Sequence, residues 1–137
     1  MMQPAILLVD DERDILELGM LTLREAGYTV QSAISGDIAM VLIEEGLNFD
    51  LLITDIVMPG QLDGFALAQR VREYLPKAGI VYATGYSRAI NMRAGGVPEG
   101  QLLRKPWRLD ELLAVVDAAI SPAHRGAAGI APATPAV

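Results

Sequence analysis

A chain of 137 residues, 52% hydrophobic but only 5% aromatic, favours one domain around one largely aliphatic core. Its net charge of −6 argues against nucleic-acid binding, which calls for a basic face. It has no cysteine and one histidine, His124, near its end, which excludes a disulfide framework, a thiolate metal site, a zinc site and a histidine-based catalytic triad.

Met1-Met2-Gln3-Pro4 is followed by acids from Asp10 onward, unlike a signal peptide. No apolar run approaches membrane-spanning length, so a cytoplasmic protein without a membrane partner is expected. Residues 5–9 form a short apolar run that reads as a first strand, ending in Asp10-Asp11-Glu12. A helix follows over 13–26, with Ile15, Leu18 and Thr22 at helical spacing and Gly27 at the left-handed position beyond its end. Residues 28–33 read as a weaker strand, Tyr28, Val30 and Ser32 alternating with Thr29, Gln31 and Ala33. Ser35-Gly36-Asp37 opens a second helix that Gly46 closes.

Asp50 to Gly60 is the centre of the chain. Leu51, Leu52 and Ile53 form an apolar run with no helical period, closed by Pro59-Gly60, and read as a buried strand with Asp55 at its end. A carboxylate there is costly unless something pairs with it. A helix over 63–74 buries Phe65, Leu67, Ala68 and Val71 and stops before Pro76. Residues 80–83 are a fourth strand ending in Thr84; a short helix over 87–94 is weakened by Gly95, Gly96 and Pro98. Residues 101–104 are a fifth strand ending in Lys105-Pro106. In the last helix, over 109–120, Leu109, Leu112, Leu113, Val116 and Ile120 share one face. From 121 the chain is Pro-, Ala- and Gly-rich and is expected to be a disordered tail over 121–137. Strands and helices alternate with no hairpin signal, which predicts an α/β fold, a parallel sheet with helices on both faces.

In such a sheet the ligand site lies beyond the carboxyl ends of the strands, at the switch in strand order. With the order 2-1-3-4-5, the acids of strands 1 and 3 stand about 5 Å apart, and Lys105 starts on the order of 10 Å from Asp55, so only a long flexible cation reaches back. Three carboxylates so close repel, so either their pKa values rise or a cation joins them. All the ligands are hard oxygens, which points to Mg²⁺. A carboxylate with a divalent ion, a lysine and a hydroxyl suits phosphoryl chemistry, with the acid as nucleophile.

Asp10-Asp11, Asp55 with Met58-Pro59-Gly60 and Asp63-Gly64, Thr84-Gly85, and Lys105-Pro106 together resemble the receiver domain of two-component response regulators, over residues 5–120. The resemblance implies a flavodoxin-like, doubly wound (βα)5 fold for residues 1–120. It implies that Asp55 is the phospho-acceptor. Asp11 would be a direct Mg²⁺ ligand with Asp10 helping directly or through water, and the Val57 carbonyl would complete the protein ligands. Thr84 and Gly85 would hold the phosphoryl group, Lys105 would pair with it, and the Lys105–Pro106 bond would be cis. The implied donor is a phosphohistidine on a histidine kinase or a histidine phosphotransfer domain. The readout would be protein–protein contact by a monomer or weak dimer, either free-standing or excised from a hybrid kinase. Such a domain catalyses its own phosphorylation and dephosphorylation but is no metabolic enzyme.

The chain departs from the family at Leu102, where a Tyr or Phe often stands three residues before the lysine. Tyr86 is a candidate replacement, although lining the mouth of the site is the plainer role. The region 85–100 is expected to be mobile and to order on phosphorylation or binding. Read singly, Asp10 and Asp11 are helix caps, Thr84 a turn residue and Lys105 a surface lysine. Trp107 reads as core packing, Arg88, Arg93, Arg104 and Arg108 as solvated, and His124 as inert. Two other functions compete. A Mg²⁺-dependent phosphohydrolase would carry Asp-x-Asp on one strand and a cap, and neither is here. A non-phosphorylated binding module would not need Asp11, Asp55, Thr84 and Lys105 together.

Overall fold

The computed structural model describes residues 3–85 and 99–125, the last five by their backbone alone. The elements are β1 (Ala5–Val9), α1 (Arg13–Glu25), β2 (Thr29–Ala33), α2 (Gly36–Glu44), β3 (Leu51–Asp55), α3 (Gly64–Tyr74), β4 (Gly79–Thr84), β5 (Gln101–Arg104) and α4 (Leu109–Arg125). The five strands form one parallel sheet in the order β2-β1-β3-β4-β5. Among the described residues helices alternate with strands from β1 to β4 and a helix follows β5, and the strand order reverses between β1 and β3.

Burial explains the arrangement. Every residue of β3 is buried, and its side chains alternate between two cores. Leu52 joins Leu7, Met40, Ile43, Leu67 and Val71 under α2 and α3. Leu51 and Ile53 join Ile6, Leu16, Leu23, Leu112 and Val116 under α1 and α4. A central parallel strand buried on both faces reads as a continuous apolar run for this reason. Each such aliphatic side chain contributes about 1.5–3 kcal/mol. The edge strands differ: Thr29 and Gln31 of β2 and Gln101, Leu102 and Arg104 of β5 face solvent. Ala33 at the end of β2 is buried under α2, so that strand alternates less cleanly than the pattern from Tyr28 predicts.

Helix ends follow from local chemistry. Ser35 accepts a hydrogen bond from the Ile38 amide and Asp63 one from the Ala66 amide, each capping a helix. Gly27 and Gly46 follow their helices at φ of 104° and 105°, where a side chain is disfavoured. The last helix does not stop at Ile120 as the composition suggests but continues to Arg125. Ala118, Ala119 and Ala123 are strong helix formers, and extending a formed helix is easier than starting one; Pro122 forgoes one backbone bond without ending it. The expected tail therefore loses its first five residues to α4, and the rest of it lies outside the described residues. So do the helix expected over 87–94, the mobility expected there, Arg88, Arg93, Tyr86 and the His124 side chain. Trp107 is half-buried and packs against the core beside α1, its ring 3.9 Å from where a Cβ on Gly19 would stand. Among the described residues no helix is long and apolar enough to cross a membrane.

Candidate functional site

The site lies at the carboxyl edge of the sheet, where strand order reverses. Asp10 immediately follows β1, and Asp55 is the last residue of β3; the pairing of Val9 with Thr54 brings them side by side. Both are buried, whereas Asp11 is exposed. One carboxylate oxygen from each of Asp10, Asp11 and Asp55 lies within 4.8 Å of the others, close to the spacing expected of neighbouring strands.

Lys105 follows β5, two strands from Asp55. Its amide donates to the Thr84 carbonyl at 3.0 Å, and its bond to Pro106 is cis. The side chain reaches back across β4, and Nζ lies 2.7 Å from Asp10 Oδ2, 3.0 Å from Asp55 Oδ2 and 3.4 Å from Glu12 Oε1. One ammonium thus serves acids from two other strand ends. Burial pushes the Asp55 carboxyl above its usual range; the hydrogen bond and charge of Lys105 offset this in part, and the Asp10 charge adds to it. For Lys105 burial acts downward, but the bonds to Asp10 and Asp55 outweigh it and hold the ammonium above its usual range. The two upward shifts agree physically. The shared ammonium is firmly charged, yet it is one cation among several acids and leaves Asp55 under-compensated.

The loop after β3 is held from two sides. Gly64 donates its amide to the Ile56 carbonyl at 2.8 Å, and a Cβ at Gly64 would run into the Asp55 carbonyl oxygen. Asp37, in the first turn of α2, accepts from the amides of Gln61 at 3.2 Å and Leu62 at 3.1 Å. Gly60 turns between them at φ 103°, with space for a Cβ limited by the Asp37 carboxylate 3.0 Å away. These contacts set the course of the Ile56–Leu62 segment that carries Val57.

The result is an open cleft of about 470 Å³ lined by Asp11, Glu12, Ile15, Asp55, Val57, Thr84, Gly85, Lys105 and Pro106. The structure thus brings Asp10, Asp11, Asp55, Val57, Thr84, Gly85 and Lys105 to one place. Leu102 is not among the lining residues; it sits on β5, 41% exposed. Tyr86 lies outside the described residues. Asp10 does not cap α1: its Oδ1 accepts from the Glu12 amide at 2.9 Å, one residue short of the helix. Sequence reasoning gave no role to Glu12, whose only signal is an acid next to the Asp pair. It gave none to Asp37 as a loop tether, because that contact spans 24 and 25 residues and has no local pattern. The oxygen-only donor set of Asp10, Asp11 and Asp55 fits a hard divalent cation such as Mg²⁺.

The model of the response regulator receiver domain matches residues 6–117. Response regulator receiver protein CpdR of Brucella abortus is 36% identical over 109 residues, 79% of this chain and 89% of that protein. Sensor kinase CckA of the same species is 34% identical over 115 residues, 81% of this chain but 12% of the kinase, so part of the similarity is to one segment of a much longer protein. The solved structure of response regulator protein TrrA from Thermotoga maritima, in complex with Mg²⁺-BeF, superposes with a TM-score of 0.73 at 34% identity, covering 85% of this chain and 97% of that one.

Proposed function

We propose that this chain, which belongs to the response regulator receiver domain family, accepts a phosphoryl group on Asp55 and signals by protein–protein contact. It is a receiver domain of two-component signalling; the residue roles that follow are our reading. The observation that carries it is the Lys105 ammonium bridging Asp10 and Asp55 from a third strand end. That arrangement holds a nucleophilic carboxylate beside a cation in a cleft open to a donor.

In this reading an Asp55 carboxylate oxygen attacks the phosphorus of a phosphohistidine. The new P–O bond forms as the P–N bond breaks, and the electron pair leaves on the donor imidazole. Lys105 turns from the carboxylates to a phosphoryl oxygen, the Thr84 hydroxyl donates to another, and Gly85 leaves the backbone open beside it. Asp10, Asp11, Asp55 and the Val57 carbonyl would hold Mg²⁺, which supplies charge neutralisation on the phosphoryl oxygens. Burial strips the Asp55 carboxylate of much of its hydration, and Lys105 keeps it oriented. The donor would be a histidine kinase or a histidine phosphotransfer domain, and the protein, acting in the cytoplasm, would work as a monomer or weak dimer. The similarity extends both to most of CpdR, a receiver protein, and to a short segment of CckA, a sensor kinase, so both the free-standing and the hybrid-kinase settings have relatives.

Incubation with Mg²⁺ and a small acyl phosphate, followed by intact mass measurement, tests the reading. A single phosphate on the wild type that is missing from Asp55→Asn is expected. Rapid multiple turnover of the donor would point instead to a phosphohydrolase, and no adduct at all to a binding module.

A further inference from the structure

An ammonium has three N–H donors, and Lys105 has three carboxylates beside it. They are unequal. Asp10 and Asp55 lie at 2.7 Å and 3.0 Å with side chains only 5% and 10% exposed; Glu12 lies at 3.4 Å with its side chain 60% exposed. The Glu12 backbone is nevertheless fixed, since its amide donates to Asp10 Oδ1 at 2.9 Å and its carbonyl accepts from the Leu16 amide at 3.0 Å. Glu12 therefore presents an exposed carboxylate from a hydrogen-bonded backbone on the cleft wall.

The acids that Lys105 holds, Asp10 and Asp55, belong to the cluster fitted to a divalent cation. Lysine and cation thus draw on the same two carboxylates. A lysine released into a partly desolvated cleft with no acceptor would lose a charge-assisted bond without replacement. We propose that Glu12 is a positioning residue that takes up the Lys105 ammonium when Asp10 and Asp55 take a divalent cation, and so eases filling of the site. This deepens the phospho-acceptor reading and draws its biological meaning from it. Before the cation binds, Glu12 steadies Lys105 at the third side; once it has bound, Glu12 keeps the ammonium at the cleft mouth, within range of the incoming phosphoryl group.

A plain charge effect would also favour cation binding, and a double-mutant cycle separates the two. The Mg²⁺ dissociation constant is measured by calorimetry and by fluorescence of Trp107, the single tryptophan and two residues past Lys105, at fixed ionic strength. Glu12→Gln is expected to weaken Mg²⁺ binding about threefold, the scale of one exposed ion pair. The same substitution in a Lys105→Met background is expected to have an effect of less than about 1.5-fold. Lys105→Gln serves as the background should the methionine variant fail to fold, and Glu17→Gln controls for charge on α1. An equal effect in both backgrounds, or none in the wild type, overturns the proposal. The acyl-phosphate experiment keeps the two readings apart. A wild type that takes phosphate but shows a flat cycle loses only the Glu12 role. A wild type with the expected cycle that takes no phosphate keeps the Glu12 role and loses Asp55 as acceptor.

Discussion

Gly64 closes on the main chain of Asp55 so tightly that no side chain fits between them. Its amide also bonds the next carbonyl, that of Ile56. The first turn of α3 is therefore built directly onto the strand end that carries the central acid. A methyl group would have to push the helix or the strand aside, because the obstructing atoms are backbone. Gly64→Ala is expected to destabilise the fold by about 3 kcal/mol, at the upper end of overpacking. Gly27 is the contrast: it has φ of 104° and nothing within 4 Å of a new Cβ, so Gly27→Ala is expected to cost only the backbone term, about 1–2 kcal/mol. Urea midpoints of the two variants check the order; equal costs would show that the close contact at Gly64 relaxes.

Asp37 ties a second element to the same loop. Its carboxylate accepts from two successive amides, Gln61 and Leu62, and stands against the turn at Gly60. Asp37→Ala removes both bonds and is expected to lower stability by roughly 1–2 kcal/mol. Because the tethered segment includes the Val57 carbonyl proposed as a ligand, Mg²⁺ affinity is expected to fall as well, by up to about tenfold. Asp37→Asn, which keeps one acceptor, should lose less of each. Unchanged Mg²⁺ binding in a destabilised Asp37→Ala would confine this residue to the fold.

These two contacts show where sequence reading succeeds and where it stops. The β3 run Leu51-Leu52-Ile53 is legible because a strand buried on both faces favours consecutive apolar residues. Gly27, Gly46, Ser35 and Asp63 mark helix ends because caps and left-handed positions are set within a few residues. The meeting of Asp10, Asp55 and Lys105 follows once strand order is assumed, since each stands at a strand end. Asp37 and Glu12 are not legible in this way. Their partners depend on how far a loop folds back and on which way one side chain of several leans. The end of α4 is not legible in composition either, because composition speaks to burial and a helix can outrun its buried face.

The charge balance of the acid cluster gives a sign that can be measured. Burial raises the Asp55 pKa in the folded protein above its value in the unfolded chain. Protonation therefore favours folding: this contribution is fully present below the unfolded carboxyl pKa and is lost as pH rises through the folded value. At neutral pH without divalent ions, ionised Asp55 is a net cost. Asp55→Asn should accordingly have a higher urea midpoint than the wild type at pH 7 in EDTA. The advantage should shrink as pH falls through the raised folded pKa and be gone below about 4, where the unfolded carboxyl also protonates. Saturating Mg²⁺ should reverse the order, stabilising the wild type by about 2.7 kcal/mol at a hundredfold excess over Kd while helping the variant less. An Asn variant less stable than the wild type in EDTA at pH 7 would mean that the Lys105 bond outweighs burial.

Lys105 supplies the opposite limb of the pH curve. Its folded pKa is raised above the unfolded value, with the bonds to Asp10 and Asp55 overcoming the downward effect of burial. The stability it contributes is fully present below the unfolded lysine pKa and is lost as pH rises through the folded value. The relevant window opens above about pH 10.4. Deprotonation there leaves Asp10 and Asp55 side by side with no cation between them, so the wild type should lose stability steeply on the alkaline side. Lys105→Met, already without the ammonium, should be less stable at neutral pH but show a shallower alkaline decline from this source. Tyr28, whose pKa burial and then the Asp117 charge push up, titrates in the same range and is common to both proteins. The difference between their alkaline slopes in urea or thermal unfolding therefore isolates the lysine, and parallel slopes would mean that the ammonium contributes nothing to folding through Asp10 and Asp55.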